Sequence, residues 1–411
     1  MPLLLGIETH AHGHVACATW HAGMRELVLS MMAAGFAVAL PMTWIMRAVG
    51  VRAGALDGAG VAGQVKAAPR RVPNTGGVAI FLGVAAPMAI GLAAIHTPWA
   101  ADLARALPLG VTEESLESHL PGLRQTTPAA AALLLALLIL HVLGVIDDRK
   151  PLGPGIKMAV MALLALGVTW FTDTRLFTVL DAYAGGSWAS IAVTVAWIVL
   201  ITNAMNFLDN MDGLCGGVGV IASGCFLVAA LGQSPPQWFI GAALALLVGS
   251  LLGFLCFNFP WREGRSASIF MGDGGSLVVG FLLGFLTVRT TFYAPDAAGG
   301  WYGVFMPLVV LAIPLYDLLS VCTIRISQGR SPFVGDLQHF SHRLVKRGLT
   351  RRDAVLVICG LTGMTSIGGI WLGKLEPWQA ILVGVQTMLA LLVLAVFESR
   401  ARVERGDGPS A

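Results

Sequence analysis

Long apolar segments recur along this 411-residue chain and constrain its fold more than any other feature of the sequence. A helix needs about 20 mostly apolar residues to cross a bilayer. Only 12% of the residues are charged, against roughly 25% in an ordinary soluble domain. Transmembrane strands would alternate over about ten residues, and that pattern is absent from the sequence. Eleven membrane-spanning helices are expected, at residues 24–46, 76–95, 127–146, 156–172, 189–208, 214–231, 238–257, 275–292, 303–324, 354–373 and 378–397.

The distribution of Lys and Arg between these segments predicts how the chain is oriented. Most of them lie on the side that also carries the acidic clusters, including seven between residues 325 and 352. Because basic loops stay in the cytoplasm, we expect the N-terminus outside and the C-terminus inside. The chain is predicted to be an all-α polytopic membrane protein with a disordered or extended N-terminal leader (1–23), one membrane domain (24–397) and a cytoplasmic tail (398–411).

Acidic side chains collect at three places where apolar segments begin or end. Asp147 and Asp148 follow one segment, residues 203–212 end another, and Asp273 precedes a third. A charge at the bilayer centre costs about 2.5–3.5 kcal/mol, so the end of a span is where carboxylates are tolerated. Three such clusters at the membrane edge indicate one metal-dependent site assembled from distant loops.

The segment 203–212 has a further geometric signal. Three asparagines fall within a stripe roughly 60° wide on a helix, namely Asn203, Asn206 and Asn210. Asp209 and Asp212 point elsewhere, so the helix should end near Asp209, and Gly213 permits the turn. The alternative is a polar helix terminus followed by a turn, without a site.

Asp273 lies between Gly272 and Gly274 at the predicted N-terminus of a helix. Flanking glycines let a ligand approach the backbone closely, and helix N-termini attract phosphate. An aspartate in this position can equally cap the helix. Metal binding and capping are both open from the sequence of this motif alone.

A basic loop at residues 325–352 carries His339 and His342 beside Arg343. Its charge is expected for any inside loop, but histidine beside arginine also suits a diphosphate, which arginine binds bidentately. Lys157 opens a span and can reach the same surface. Hard oxygen ligands surrounded by Lys and Arg favour Mg²⁺ shared between protein and phosphates, as phosphoryl transfer requires.

Two polar residues lie inside predicted spans. Asp317 is a functional candidate because intramembrane acids are costly, although pairing within the protein is favoured for it. Pro314 is expected to kink the same helix. His141 is interpreted as a hydrogen-bonded core histidine.

Together these motifs resemble the polyprenyl-phosphate N-acetylhexosamine-1-phosphate transferases (glycosyltransferase family 4), over roughly residues 24–397. The resemblance is strongest to the WecA/TagO branch, which transfers GlcNAc-1-phosphate, although Ser341 stands where that branch usually has histidine. The matching strings are Asp147-Asp148…Leu152…Pro154…Lys157, Asn203-xx-Asn206-xx-Asp209-xx-Asp212-Gly213-Leu214, Phe270-Met271-Gly272-Asp273-x-Gly275-Ser276 and His339-xx-His342-Arg343-Leu344.

The resemblance implies transfer of an N-acetylhexosamine-1-phosphate, most simply GlcNAc-1-phosphate, from a UDP-sugar to polyprenyl (undecaprenyl) phosphate. UMP is released and cell-envelope glycan synthesis begins. It implies Mg²⁺ as cofactor, with Mn²⁺ as the alternative, and a site on the cytoplasmic face of the inner (plasma) membrane. The partners are UDP-N-acetylhexosamine, a polyprenyl phosphate and the membrane, with no nucleic acid. A homodimer is left open, as is the related phospho-MurNAc-pentapeptide transferase activity.

The same resemblance assigns residue roles. Asn206 and Asp273 are expected to bind the metal. The predicted catalytic residues are Asp147 and Asp148 beside the attacking phosphate, with Asp209 and Asp212 at the nucleotide. The predicted substrate-binding residues are Lys157, Asn203, Arg330, His339, His342 and Arg343.

Two other classes of protein fit the sequence less well. A transporter or lipid flippase fits the eleven spans and Asp317, but transporters bind near the midplane, whereas these acids cluster at one edge. A CDP-alcohol phosphotransferase requires a DGxxAR-type motif, and the residues that follow Asp212-Gly213 do not match it.

If the protein is a transferase, its lipid phosphate substrate has a second pKa of about 6 and barely needs a general base. Asp147 and Asp148 are therefore expected to position it, and an aspartyl-phosphate intermediate is the alternative.

Overall fold

The protein is a bundle of helices. The computed structural model describes residues 5–56, 70–98, 113–233, 237–290, 300–333 and 335–403. Within these ranges the only strand-like pairing is an isolated antiparallel bridge between Leu56 and Pro73. The predicted all-α fold class is confirmed.

The described residues form a series of α-helices along the chain. They are α1 (Leu5–Arg52), α2 (Gly76–Ala94), α3 (Glu113–Arg149), α4 (Pro154–Thr172), α5 (Leu180–Ala184), α6 (Trp188–Leu208), α7 (Leu214–Leu231), α8 (Trp238–Asn258), α9 (Asp273–Arg289), α10 (Met306–Val310), α11 (Ala312–Ser327), α12 (Phe340–Val345), α13 (Arg351–Ile370) and α14 (Pro377–Val403). Two 3₁₀ turns accompany them, at Gly300–Phe305 and Leu372–Lys374.

Most of these helices can cross a membrane. Among the described residues, nine are long and apolar enough, and a tenth span results if the bent pair α10–α11 counts as one. The predicted span at 275–292 corresponds to α9, which has 17 residues. At 1.5 Å per residue this helix is about 26 Å long, short of a hydrocarbon core of about 30 Å. The count of eleven and the orientation of the termini remain predictions.

The predicted division into leader, membrane domain and tail also remains a prediction. Helix α1 begins at Leu5, within the predicted leader. Residues 404–411 of the predicted tail lie outside the described residues.

Helix α9 lies at the centre of the bundle. Every residue from Gly274 to Thr287 is buried. A Cβ at Gly280 would lie 2.6 Å from the Cα of Thr202, so glycine lets the backbones of α6 and α9 approach closely, as is common between membrane helices. This packing sets the end of α6 beside the start of α9.

The end of α6 agrees with the sequence-based prediction. The helix ends at Leu208, and Asp209 is its C-cap residue. The chain then turns at Gly213, whose φ of 78° lies in the left-handed region that glycine tolerates. The Gly213 amide donates to Asn258 Oδ1 at 2.8 Å, which secures the turn.

The predicted kink near Pro314 is also confirmed. Helices α10 and α11 meet at 56°, with Leu311 between them. Proline has no N–H to donate to the residue four positions earlier and its ring crowds that carbonyl. For Pro314 that residue is Val310, where α10 ends.

Candidate active site

Four helix ends meet at one end of the bundle. Helices α3 and α6 finish there at Arg149 and Leu208, whereas α4 and α9 start there at Pro154 and Asp273. Polar residues that flank apolar helices are thereby gathered on one surface. The structure brings the three acidic clusters of the sequence together at this surface.

Asp148 caps helix α9 from a different helix. Its Oδ1 accepts a hydrogen bond from the Asp273 amide at 3.2 Å, and its Oδ2 accepts one from the Gly274 amide at 3.5 Å. Asp273 is the first residue of α9, and the N-cap residue Gly272 provides no side-chain cap. The carboxylate of Asp273 is therefore not used for capping and faces the cluster.

Lys157 lies between two carboxylates of this cluster. Its ammonium is 2.9 Å from Asp147 Oδ2 and 2.8 Å from Asp273 Oδ2. The other oxygen of Asp147 accepts from the Leu152 amide at 2.8 Å. Both oxygens of Asp147 thus accept hydrogen bonds. The ammonium of Lys157 places one positive charge among the acidic clusters, where the sequence predicts a cation.

Asn206 joins α6 to the start of α9. Its Nδ2 donates to Asp273 Oδ1 at 3.0 Å and to Ser276 Oγ at 2.9 Å.

Asp209 lies within one turn of Asn206 and adds a further carboxyl group. Burial, and then the charges of Asp273 and Asp148, raise the pKa of Asp209 well above its usual range. Asp209 therefore favours its neutral form, whereas the carboxylates of Asp147 and Asp273 still outnumber the single ammonium of Lys157 between them.

Asp212 forms a separate ion pair beside the cluster. Arg70 donates to its two oxygens at 2.7 and 2.5 Å, and the Ala267 amide donates to Oδ2 at 2.8 Å. The guanidinium of Arg70 also lies over the Phe270 ring, 4.5 Å from its centre. Asp212, predicted at the nucleotide, here connects the segment before α2 to the segment before α9.

The histidine loop, defined as residues 335–347, is fastened to the buried acid of α11. Asp317 is fully buried. Its Oδ1 accepts from the Phe340 amide at 2.6 Å, and its Oδ2 lies 3.0 Å from His339 Nδ1. The favoured interpretation of Asp317 as a residue paired within the protein is confirmed.

The histidine loop also contacts the end of α6, which carries part of the acidic cluster. Ser341 Oγ donates to Asn210 Oδ1 at 2.5 Å. The His339 ring meets Phe207 edge-on, with 5.4 Å between ring centres. The loop and the end of α6 therefore form one continuous surface.

His342 is neutral at neutral pH. Burial, and then the charges of His339, Arg351 and Lys346, lower the pKa of His342 to about 4. Its ring can serve as a hydrogen-bonding group beside basic residues, whereas it contributes no charge of its own.

Three other predicted substrate-binding residues lie apart from the carboxylates. The side-chain amide of Asn203 is 3.3 Å from Met158 Sδ and is turned towards α4. Arg330 is exposed beyond the end of α11. Arg343 is paired with Glu398 of α14, with distances of 2.8 and 3.0 Å to its two oxygens. The sequence analysis did not single out Glu398, although a carboxylate ending the last apolar segment was a usable signal.

His141 fixes α3 to α9 behind the cluster. Its Nδ1 lies 2.8 Å from the Gly274 carbonyl oxygen, and its ring stacks on Phe81 with 4.8 Å between centres. It is a hydrogen-bonded core histidine, as predicted from the sequence.

Substituting Gly144 with alanine should disturb the site through backbone packing. A Cβ there would overlap the backbone of Asp273 and Gly274. Overpacking typically costs about 1–3 kcal/mol, so we expect a lower melting temperature and weaker catalysis in purified Gly144→Ala. Gly167→Ala, also within a helix but with open space at its Cβ, is the matched control. Equal stability of the two variants would contradict this packing argument.

The donor set of the cluster is compatible with a hard cation shared with a ligand. Among the described residues, no group of three or more His, Cys, Asp or Glu side chains is placed to hold a metal by itself. Asn206 and Asp273 nevertheless offer amide and carboxylate oxygens, the ligands preferred by Mg²⁺, which usually keeps waters and binds substrate phosphates as well. The excess of carboxylates over Lys157 favours an additional cation.

The geometry defines a polytopic membrane protein with a charged site at one end of its bundle. Comparisons with known proteins identify its family. The model of glycosyl transferase family 4 matches residues 130–291, which include all three acidic clusters. The chain is 30% identical over 389 residues to the decaprenyl-phosphate N-acetylglucosaminephosphotransferase of Mycobacterium leprae, covering 88% of each chain. This protein belongs to glycosyl transferase family 4, as its motifs predict.

Two further relatives are similar to this chain. One is the probable undecaprenyl-phosphate N-acetylglucosaminyl 1-phosphate transferase of Bacillus subtilis, 26% identical over 87% of this chain and 88% of the relative. The other is the undecaprenyl-phosphate alpha-N-acetylglucosaminyl 1-phosphate transferase of Escherichia coli, 29% identical over 59% of this chain and 65% of the relative.

Proposed function

We propose that this protein transfers N-acetylglucosamine-1-phosphate from UDP-N-acetylglucosamine to a polyprenyl phosphate, undecaprenyl phosphate being the expected acceptor. The observation that carries the proposal is the meeting of Asp147, Asp148, Asn206 and Asp273 around Lys157. A charged site at the end of membrane-spanning helices gives access to a lipid headgroup and to a water-soluble donor. The activities for which the relatives are named support the sugar and the class of acceptor.

The reaction is a phosphoryl transfer between two phosphates. An oxygen of the lipid phosphate attacks the β-phosphorus of the donor, and the bond from that phosphorus to the bridging oxygen breaks. UMP leaves with the bridging oxygen, and the product is a polyprenyl diphosphate sugar, the starting unit of a lipid-linked glycan. Because the attacking phosphate is already largely ionised at neutral pH, no residue has to remove a proton.

The side chains then act mainly by position and charge. Lys157 offsets negative charge between the two substrates, and Asp147 orients its ammonium. Asp148 holds the first amides of α9 in place. His339, Asp209 and the neutral ring of His342 are proposed to border the nucleotide. A two-step route through an aspartyl phosphate stays the alternative.

Mg²⁺ is proposed as the cofactor, held by the oxygens of Asn206 and Asp273 together with substrate phosphates. When bound, it would polarise the transferred phosphoryl group and stabilise the leaving UMP. Mn²⁺ has similar ligand preferences and is the alternative. Lys157, already 2.8 Å from Asp273, is suited to share the charge of the phosphates with the ion.

The site is proposed to face the cytoplasm across an inner (plasma) membrane. The basic residues at the same end of the bundle as the site, such as Arg330 and Lys346, support this orientation because Lys and Arg are retained on the cytoplasmic side. UDP-sugars would then reach the site from the cytoplasm. A transporter has no support, because Asp317 is occupied by the histidine loop.

We expect the purified protein in detergent to release UMP from UDP-N-acetylglucosamine only when undecaprenyl phosphate and Mg²⁺ are present. Chelation of the metal should lower the rate by about a hundredfold or more, since it removes several kcal/mol of charge stabilisation. Added Mg²⁺ should restore it. Omission of the lipid is the control for hydrolysis, and UDP-MurNAc-pentapeptide tests the related activity. Lipid-independent UMP release, or none at all, would refute the proposed function.

A further inference from the structure

A second polar network lies where the histidine loop meets the last helix. Glu398 of α14 accepts from Arg343 Nε at 2.8 Å and from Arg343 Nη2 at 3.0 Å. The hydroxyl of Tyr316, on α11, donates to Glu398 Oε2 at 2.6 Å. The two charged side chains are each only about one-tenth exposed, at 12% and 11%. A carboxylate of the last helix is therefore shared between the loop and the helix that anchors the loop.

Arg343 has little hydrogen-bonding capacity left for a ligand. Besides Glu398, its Nη2 donates to Ser320 Oγ at 2.8 Å and its Nη1 donates to the Gln338 carbonyl. A guanidinium has five N–H donors, and these contacts use four of them. Its charge is also neutralised by the carboxylate in a bidentate pair, the strongest geometry for such a contact.

A second arginine of the loop holds the same helix end. Arg347 donates from Nη1 to the Phe397 carbonyl at 2.6 Å and from Nη2 to the Glu398 carbonyl at 2.5 Å. Its guanidinium lies over the Phe397 ring, 4.4 Å from the centre. Arg343 and Arg347 are four residues apart, so both contacts come from one side of the loop.

Most of α14 makes few other contacts with the protein. Only 11% of the residues in its most apolar stretch are buried inside the protein, and large side chains such as Leu382, Met388 and Leu392 are exposed. A helix so loosely packed gains much of its attachment at this end from the arginine contacts. The attachment works in both directions, because the helix also restrains the loop.

We propose that Glu398 is a positioning residue: through Arg343 it holds the histidine loop, and with it His339 and His342, against the polar end of α6. Arg343 acts as a strut between α14 and the loop and does not bind the substrate. The inference rests on the proposed function in so far as the loop borders the nucleotide. It adds the last helix of the bundle to the parts of the protein that set nucleotide affinity.

The two possible roles of Arg343 give opposite results when Glu398 is neutralised. If Arg343 binds the diphosphate, Glu398→Gln frees a cation and leaves KM for UDP-N-acetylglucosamine unchanged or lower. If Arg343 is a strut, the loop loosens and KM rises. We expect KM to rise by about fivefold to tenfold, as for the net loss of one ordinary hydrogen bond, with kcat within about twofold.

The experiment compares Glu398→Gln, Arg343→Gln and the double variant by steady-state kinetics and by the rate of trypsin cleavage after the exposed Arg330. The double variant should be no worse than the worse single one, because both remove the same contact. Glu398→Asp should recover part of the affinity. Asp181→Asn is the matched control, since it removes a carboxylate paired with Arg175 at the other end of the bundle.

Tyr316→Phe, which removes one hydrogen bond to Glu398, replaces Glu398→Gln if that variant does not fold. Faster cleavage together with a higher KM would support the strut. Unchanged cleavage, or additive effects in the double variant, would overturn it. Should the wild-type protein release no UMP, the proposed function fails, whereas the cleavage rates still decide whether Glu398 holds the loop.

Discussion

Replacing Asp273 with asparagine is expected to reduce UMP release by about 10²–10³-fold, the range seen when one preorganised electrostatic group is removed from an active site. Asp273 accepts from both Lys157 and Asn206, and it is a proposed Mg²⁺ ligand. The amide is isosteric with the carboxylate but carries no charge, so the helix should form while the site loses its central anion. Steady-state UMP release with Mg²⁺ held in excess is the measurement.

A second measurement separates metal binding from catalysis. A ligand that binds only the native state raises the melting temperature, so Mg²⁺ with a non-reactive UDP analogue should stabilise the wild-type protein more than Asp273→Asn. Asp173→Asn is the control, because that residue lies at the opposite end of α4 with φ of 49°, which asparagine tolerates. Retention of more than about a tenth of the activity, with an unchanged Mg²⁺ response, would be incompatible with a major electrostatic role.

The sequence was sufficient to predict the helices and the polar ends that matter. Apolar length identifies a membrane helix, and a carboxylate is tolerated only near its end. The end of α6 at Leu208 and the turn at Gly213 were also predictable, because the spacing of the polar residues does not fit one straight helix. The central position of α9 was not, because an all-round apolar helix can face either lipid or protein.

A single sequence does not show which charged residues pair with each other in the folded protein. Arg70 and Asp212 are 142 positions apart, and nothing in either local motif names the other. The resemblance to a family places Arg343 at the substrate, yet its geometry pairs it with Glu398. A charge near an active site has both structural and functional uses, and only the three-dimensional partners distinguish them.

The same reasoning gives a large expected effect for Asp317, the acid inside the bundle. Asp317→Asn should lower the melting temperature and loosen the histidine loop. Asparagine has an NH₂ donor in place of one carboxylate oxygen, so it loses the acceptor that faces either the Phe340 amide or His339. Leaving a buried polar group without its hydrogen-bond partner typically costs about 1–3 kcal/mol. Thermal unfolding in detergent and tryptic cleavage after Arg330 measure the two changes.

Thr323→Val on the exposed side of α11 is the matched control, since the threonine hydroxyl bonds only within its own helix.

Comparing the activity of Asp317→Asn with its stability also separates the transferase from a transporter. A proton-carrying acid would lose function on conversion to asparagine without losing stability, because buried carriers are destabilising when charged. Asp317 instead serves as an acceptor for a backbone amide and a histidine, so activity and stability should fall together. An inactive Asp317→Asn with wild-type melting temperature and cleavage rate would favour the carrier.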